Sequence, residues 1–109
     1  MPESIGVANK NEYLGRLATA IYARHRANAI HLSTERIAAT TSRGGTIWEG
    51  EVEVFSITGH PEAVLCYAWT YQDGPLEHIA VILNKAPVRS ALDAVRAFVA
   101  TQVKKQQAN

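Results

Sequence analysis

Side chains alternate with a period of two residues over residues 46–57. One half of the pattern is apolar or small: Trp48, Gly50, Val52 and Val54. The other half is acidic: Glu49, Glu51 and Glu53. Successive side chains of a β-strand point to opposite faces, whereas the apolar residues of an amphipathic helix recur about every 3.6 residues. The alternation therefore predicts a strand with one buried and one polar face, and hence a fold that contains a sheet.

Three further segments have the pattern of strands: residues 29–40, 63–72 and 76–84. Turn-forming residues separate the four segments: Gly44 and Gly45, then Gly59 and Pro61, then Gly74 and Pro75. Such short connections join antiparallel neighbours, because a parallel pair needs a crossover of about a dozen residues. The segments therefore predict a four-stranded antiparallel meander.

Helical periodicity flanks the strands on both sides. The first helix is predicted over residues 10–27, where Asn9 and Glu12 have the spacing of a capping box. The second is predicted over residues 90–105, with Ser90 as its N-cap. The element order is therefore α-β-β-β-β-α, in the α+β class.

The hydrophobic pattern also predicts how the strands align. The most coherent alignment places Ile57 opposite Val64 and Gln72 opposite Leu76. One face of the sheet then holds most of the large apolar side chains: Trp48, Val52, Val54, Leu65, Tyr67, Trp69, Tyr71, Ile79, Val81 and Leu83. We expect both helices to cover this one face, which gives a two-layer sandwich in a single domain over residues 1–109.

The opposite face of that sheet is then expected to be half apolar and uncovered. Its apolar end is formed by Phe55, Ile57, Val64, Cys66 and Ile82. An exposed patch of this kind predicts a partner, and a second copy of the chain is the simplest one. We therefore expect a homodimer with this patch as its interface.

Aromatic residues on the predicted core face form the candidate ligand site: Trp48, Tyr67, Trp69 and Tyr71. Such a wall lines a pocket when a helix stands slightly off the sheet. Core packing explains the same residues equally well. A pocket here would take a small apolar or aromatic ligand.

His60 is the candidate catalytic residue. It lies between Gly59 and Pro61, and a histidine held in a rigid turn can transfer protons near neutral pH. Glu62 is the local carboxylate that would orient it. The alternative is a turn histidine that hydrogen-bonds to the backbone.

Cys66 is a second candidate, as a nucleophile with His60 or His78 as its base, since the predicted alignment puts Cys66 and His78 on one face. The favoured alternative is a small core residue, because no adjacent cation activates the thiol. The four histidines and the single cysteine lack the spacing of metal ligands, so we expect no metal and no cofactor.

The three glutamates of the alternating strand resemble an acid–base cluster or a weak cation site. A solvated face, with Lys or Arg from the neighbouring strand close by, is the more common role of such a run.

Charge and hydropathy exclude several partners. The chain carries 11 Lys and Arg against 10 Asp and Glu, a formal charge of +1. This balance provides no field that would attract nucleic acid or an anionic membrane. No run reaches the roughly 18 apolar residues of a membrane span, and a lone cysteine fits a reducing compartment. We expect a cytoplasmic protein without nucleic-acid or membrane partners.

The run Trp48–Phe55, followed by Gly59–Pro61 and Cys66–Trp69, resembles small uncharacterised bacterial proteins of the type found on mobile or integron gene cassettes. The resemblance covers most of residues 29–100. It implies a compact bacterial α+β domain without a known activity, and no catalytic residues are implied by it.

The leading hypothesis from sequence is a non-enzymatic module that binds a small ligand or another protein and acts as a homodimer. The alternative is a small hydrolase-like or isomerase-like enzyme that uses His60 with a nearby carboxylate.

Overall fold

The order of the elements confirms the predicted α-β-β-β-β-α chain of the α+β class. A computed structural model describes the backbone of residues 2–41 and 43–108 and the side chains of residues 10–41 and 43–102. Its elements are α1 (Pro2–His25), β1 (Asn28–Thr40), β2 (Thr46–Thr58), β3 (Leu65–Asp73), β4 (Leu76–Leu83) and α2 (Ala91–Ala108). The strands form one antiparallel meander in the order β1-β2-β3-β4. No described helix combines the length and apolar character needed to cross a membrane.

The first helix starts earlier than predicted. It begins at Pro2, a residue type favoured in a first helical turn because its missing N–H would have no partner there. The predicted cap at Asn9 is therefore wrong, since this residue lies inside the helix. The helix ends where Arg26 takes a φ of 55° and donates its N–H to the Tyr22 carbonyl at 2.8 Å.

The predicted cap of the second helix is confirmed. The Asp93 N–H donates to Ser90 Oγ at 3.1 Å, and the Arg89 N–H donates to Asp93 Oδ2 at 3.1 Å. A cap of this kind stabilises a helix by about 1 kcal/mol.

The two helices lie on opposite faces of the sheet, which corrects the predicted two-layer sandwich. α1 covers one face, called the α1 face, with buried core residues Leu17, Ile21, Ala27, Phe55, Ile57, Ala63, Cys66 and Ala68. α2 covers the other, called the α2 face, with buried core residues Ala39, Val52, Val54, Tyr67, Trp69, Ala80, Val88, Ala91, Ala94 and Val95. The sheet is the middle of three layers.

A one-residue error in the predicted alignment of β3 with β4 explains part of this difference. Asp73 pairs with Leu76, and Gln72 pairs with Glu77 instead of Leu76. Gly74, with a φ of 64°, permits the resulting two-residue turn. Such a shift moves every β4 side chain to the other face. The large apolar residues moved to the α1 face are Ile79, Val81 and Leu83.

The predicted alignment of β2 with β3 is confirmed, but the pairing is short. The Ile57 N–H donates to the Val64 carbonyl at 2.9 Å. Within the described chain, the pairing ends at Glu53 opposite Ala68, although both strands continue. β1 pairs with β2, and β3 with β4, over almost their whole lengths. Beyond Glu53 the sheet therefore divides into two ribbons, β1–β2 and β3–β4.

Candidate ligand-binding cleft

A cleft separates the two ribbons beyond the last β2–β3 pair. Its volume is about 710 Å³, and it is open to solvent. Residues 48–51 of β2 and 70–73 of β3 line it, together with Arg36 of β1, Tyr13 of α1, and Phe98 and Gln102 of α2. Because successive side chains of a strand point to opposite faces of the sheet, the two sides of the cleft carry different side chains.

The side of the cleft on the α2 face is aromatic. Trp48, Tyr71 and Phe98 line it, and the ring centroids of Tyr71 and Phe98 are 4.6 Å apart. Trp69 lies behind them, with its ring 5.8 Å from Trp48 and 5.5 Å from Phe98. These edge-to-face contacts are favourable. They hold the rings together as a surface on which an apolar or aromatic group can pack.

The predicted aromatic wall divides into cleft residues and core residues. Trp48 and Tyr71 line the cleft, whereas Tyr67 is 4% exposed and Trp69 is 1% exposed. The Tyr67 hydroxyl accepts a hydrogen bond of 2.6 Å from Asn84 Nδ2, while Trp69 Nε1 has no partner among the described residues. Both alternatives weighed from the sequence are thus realised, each for half of the set.

Gly50 allows the Trp48 indole to lie close to the strand backbone. A Cβ at position 50 would be 3.0 Å from Trp48 Cη2, which is closer than carbon atoms normally approach. A side chain at this position would therefore displace the ring.

The side of the cleft on the α1 face is acidic. Glu49 and Glu51 line it, and both are exposed. Arg36 of β1 places Nη2 3.5 Å from Glu49 Oε2 and pairs across the strands with Glu51. The third carboxylate of the lining, Asp73, lies on the α2 face, where its Oδ2 is 3.7 Å from His78 Nε2. Arg36 is the single Lys or Arg of the lining within the described chain. The predicted solvated face with a neighbouring basic residue is confirmed for Glu49 and Glu51, and the cleft carries excess negative charge.

Backbone groups of both strands also face the cleft. Ile57 bonds to β3 through its backbone, and in an antiparallel ladder every second residue points to the same neighbour. On this alternation the amides and carbonyls of Glu49 and Glu51 point towards β3, and those of Thr70 and Gln72 point towards β2. No β2–β3 pairing is present at these described positions.

Glu53, at the closed end of the cleft, is buried, and the prediction that it is solvated is wrong. Its side chain is 1% exposed. Lys10 Nζ donates to Oε2 at 2.7 Å, while His31 Nε2 lies 2.8 Å from Oε1 and the Thr34 hydroxyl donates to the same oxygen at 2.5 Å. Lys10 comes from α1, so this carboxylate fastens the helix to the sheet.

The hydrogen bonds keep Glu53 ionised. Burial by itself raises the pKa of Glu53, but the hydrogen bonds from Lys10, Thr34 and His31 outweigh burial and hold its pKa below the ordinary value. The polar contacts of this cluster join α1, β1 and β2 through residues that are 19 to 43 positions from Glu53 in the sequence. Only the alternation on β2 pointed to Glu53, and it gave no information on what covers it.

His60 has the geometry of a turn histidine that hydrogen-bonds to the backbone, which is the alternative to a catalytic role. Its Nδ1 accepts hydrogen bonds from the backbone N–H groups of Glu62 at 3.0 Å and Ala63 at 3.1 Å. The Glu62 carboxylate is directed at Lys85, 2.8 Å away, and does not orient the imidazole. One ring nitrogen is thus committed to the turn, and the predicted pairing of His60 with the nearest carboxylate is absent.

Cys66 has the environment of a core residue. It is fully buried, and burial raises the pKa of its thiol to about 12. The predicted placement of His78 on the same face is wrong, because His78 packs against Tyr71 on the α2 face, with ring centroids 5.4 Å apart. A thiolate at Cys66 is therefore disfavoured.

The predicted dimer patch does not exist as one exposed surface. Phe55, Ile57 and Cys66 are buried beneath α1, and Ile82 packs on the α2 face. Val64 is 73% exposed. The predicted homodimer interface on an uncovered face is therefore wrong, and homodimerisation stays a prediction without an assigned surface.

The described residues contain no cluster of three or more His, Cys, Asp or Glu side chains that could hold a metal ion.

No protein-family model matches the chain, and comparison with curated proteins and with solved structures gave no significant match. The resemblance to gene-cassette proteins stays a prediction. The chemistry of the cleft is therefore the basis for assigning a function.

Proposed function

We propose that this chain is a binding module whose cleft takes a ligand that combines a positive charge with an apolar or aromatic portion. The observation that carries the proposal is the division of the sheet beyond Glu53, which leaves a cleft of about 710 Å³ between the ribbons. A sheet that paired along both full strands would have no such space.

The two sides of the cleft favour two kinds of ligand group. The rings of Trp48, Tyr71 and Phe98 offer apolar surface and π-faces, which attract both aromatic groups and cations. On the other side, Glu49 and Glu51 attract a cation and repel an anion. A protonated amine on an aromatic body meets both requirements.

Binding is favoured over catalysis because of the residue types in the cleft. Within the described chain no histidine lines it, although histidine is the side chain used most often for proton transfer. No cysteine nucleophile lines the described cleft either. The candidate catalytic residue His60 is engaged by its own turn. We therefore assign the cleft to recognition.

Titration with phenethylamine, followed by tryptophan fluorescence, tests the proposal. Trp48 lines the cleft, so we expect saturable quenching or a spectral shift. Phenylacetate, which has a similar ring and the opposite charge, should bind at least tenfold more weakly, because it meets the same rings and opposing carboxylates. Equal binding of both compounds, or no response to phenethylamine, would overturn the proposal.

A variant pair tests the acidic side. Glu49→Gln combined with Glu51→Gln should weaken phenethylamine binding roughly fivefold, since each exposed charge pair contributes up to about 1 kcal/mol. Glu35→Gln is the matched control, because Glu35 is an exposed glutamate of the same sheet that does not line the cleft. Added salt should weaken binding to the wild type more than binding to the double variant.

A further inference from the structure

The cleft has a property that a small ligand would leave unused. Its two edges are strand backbones, and the amides and carbonyls of Glu49, Glu51, Thr70 and Gln72 point into it without β2–β3 pairing. Backbone groups of this kind are strong donors and acceptors that readily pair with another strand.

The side chains around the cleft also alternate with the period of a strand. Along β2, Glu49 and Glu51 point to the α1 face, whereas Trp48 points to the α2 face. A strand placed between the ribbons would direct successive side chains to these two faces in turn. Basic residues would then meet the glutamates, and the apolar residues between them would meet the rings of Trp48, Tyr71 and Phe98.

We infer that the partner is an extended peptide segment in which basic and apolar residues alternate, and that it adds as a strand between β2 and β3. The inference rests on the proposed function of the cleft and names its ligand class. Continuing the β2–β3 alignment beyond Glu53 brings Val52 to Trp48 opposite Trp69 to Asp73, so the insert spans about five residues, or roughly 16 Å.

The negative charge of the cleft favours a basic peptide over other ligands. Three carboxylates and one guanidinium, Glu49, Glu51, Asp73 and Arg36, line the cleft. An acidic peptide or a nucleic-acid strand would bring further negative charge into it. A basic strand gains both ion pairs and backbone hydrogen bonds, the mode by which an extended peptide completes a sheet.

The test uses acetyl-Lys-Val-Lys-Val-Lys-amide and the full chain in isothermal titration calorimetry. We expect it to bind, and we expect the same peptide N-methylated at its central lysine to bind about tenfold more weakly, because one backbone donor is lost. Acetyl-Glu-Val-Glu-Val-Glu-amide, the charge-reversed control, should not bind. An unchanged Kd for the N-methylated peptide would overturn strand addition.

The outcomes separate this inference from the proposed function. If phenethylamine binds and the basic peptide does not, the peptide inference is wrong and the proposed function stands. If neither binds, both are wrong. If the peptide binds, its complex should slow amide hydrogen exchange at Glu51 and Thr70, whose N–H groups face the cleft, and unchanged exchange at both would contradict the assigned site.

A matched pair of variants addresses the protein side of the same hydrogen bonds. Glu51→Pro and Glu51→Ala both remove the carboxylate, but only proline removes the N–H. We expect the proline variant to bind the peptide about fivefold more weakly than the alanine variant. Equal affinities in two variants with the same melting temperature would count against pairing at β2, and the N-methylated peptide decides the question if the proline variant does not fold.

Discussion

Glu53 and Glu51 lie two positions apart on the same strand and the same face of the sheet, yet their surroundings differ completely. Glu53 is 1% exposed and is bound by Lys10, His31 and Thr34, whereas Glu51 is exposed and lines a cleft. The boundary between them is the last β2–β3 pair, Glu53 with Ala68. On one side of it the sheet is closed and covered, and on the other it is open. The same residue type therefore stabilises the fold in the closed region, and in the open region we propose that it serves recognition.

The largest expected contrast between the two regions lies in the tryptophans. Trp69 is 1% exposed in the core, so Trp69→Ala should lower the free energy of unfolding by about 4 kcal/mol. Trp48 is half-buried at the cleft, and Trp48→Ala should cost about 1 kcal/mol while it weakens phenethylamine binding. Urea denaturation measures the loss of stability in both variants. Trp69→Phe provides a milder core variant if the alanine variant does not fold, and similar losses for Trp69→Ala and Trp48→Ala would contradict the distinction.

The glutamates provide the next largest contrast. Glu53→Gln should lower the free energy of unfolding by about 2 kcal/mol, since Lys10, His31 and Thr34 lose a charged acceptor and two of them remain partly shielded from water. Glu51→Gln should change it by less than about 0.5 kcal/mol. Chemical denaturation at neutral pH measures the difference, and equal effects of the two substitutions would remove the structural role of the Glu53 cluster.

Acid should act on the closed region through the same carboxylate. Because the pKa of Glu53 lies below its ordinary value in the folded chain, the unfolded chain binds more protons as the pH falls. The contribution of Glu53 to stability is present above the unfolded pKa of about 4 to 5 and is lost as the pH drops through the folded pKa. Unfolding measured between pH 7 and pH 3 should show a shallower decline in Glu53→Gln than in the wild type, and parallel profiles would count against the ionised state.

At Gly50 the expected effect on stability is also small. In Gly50→Ala the new Cβ would be 3.0 Å from the Trp48 ring, so the ring must shift by a few tenths of an ångström. We expect a change in unfolding free energy below about 1 kcal/mol, together with a measurable loss of phenethylamine affinity. Fluorescence titration alongside thermal denaturation separates the two, and unchanged affinity would show that the position of the Trp48 ring does not matter for binding.

Local patterns of this chain were sufficient to predict its elements. The alternation around Trp48 located β2, and Ser90 located the start of α2. Arrangement was harder to predict, because β2 and β3 carry apolar residues on both faces, such as Val54 and Phe55. Two apolar faces require one helix on each face. No sequence pattern in either helix indicates which face it covers.

The candidate site was predictable only in part, for physical reasons of the same kind. Trp48 and Tyr71 were found because aromatic residues stand out on a strand. Phe98 could not be assigned to the cleft, since its place depends on the path of α2. The division of the sheet has no local pattern, as the strands continue on both sides of Glu53 and only their separation changes.

Amide hydrogen exchange of the free protein, measured by NMR, tests the central claim that β2 and β3 separate beyond Glu53. In the paired region the N–H groups of Phe55 and Ala68 should exchange slowly, because they bond across the two strands. Those of Glu51 and Thr70, which point into the cleft, should exchange orders of magnitude faster. Slow exchange at Glu51 and Thr70 comparable to that at Phe55 and Ala68 would mean that the strands pair along their whole length and that no cleft exists.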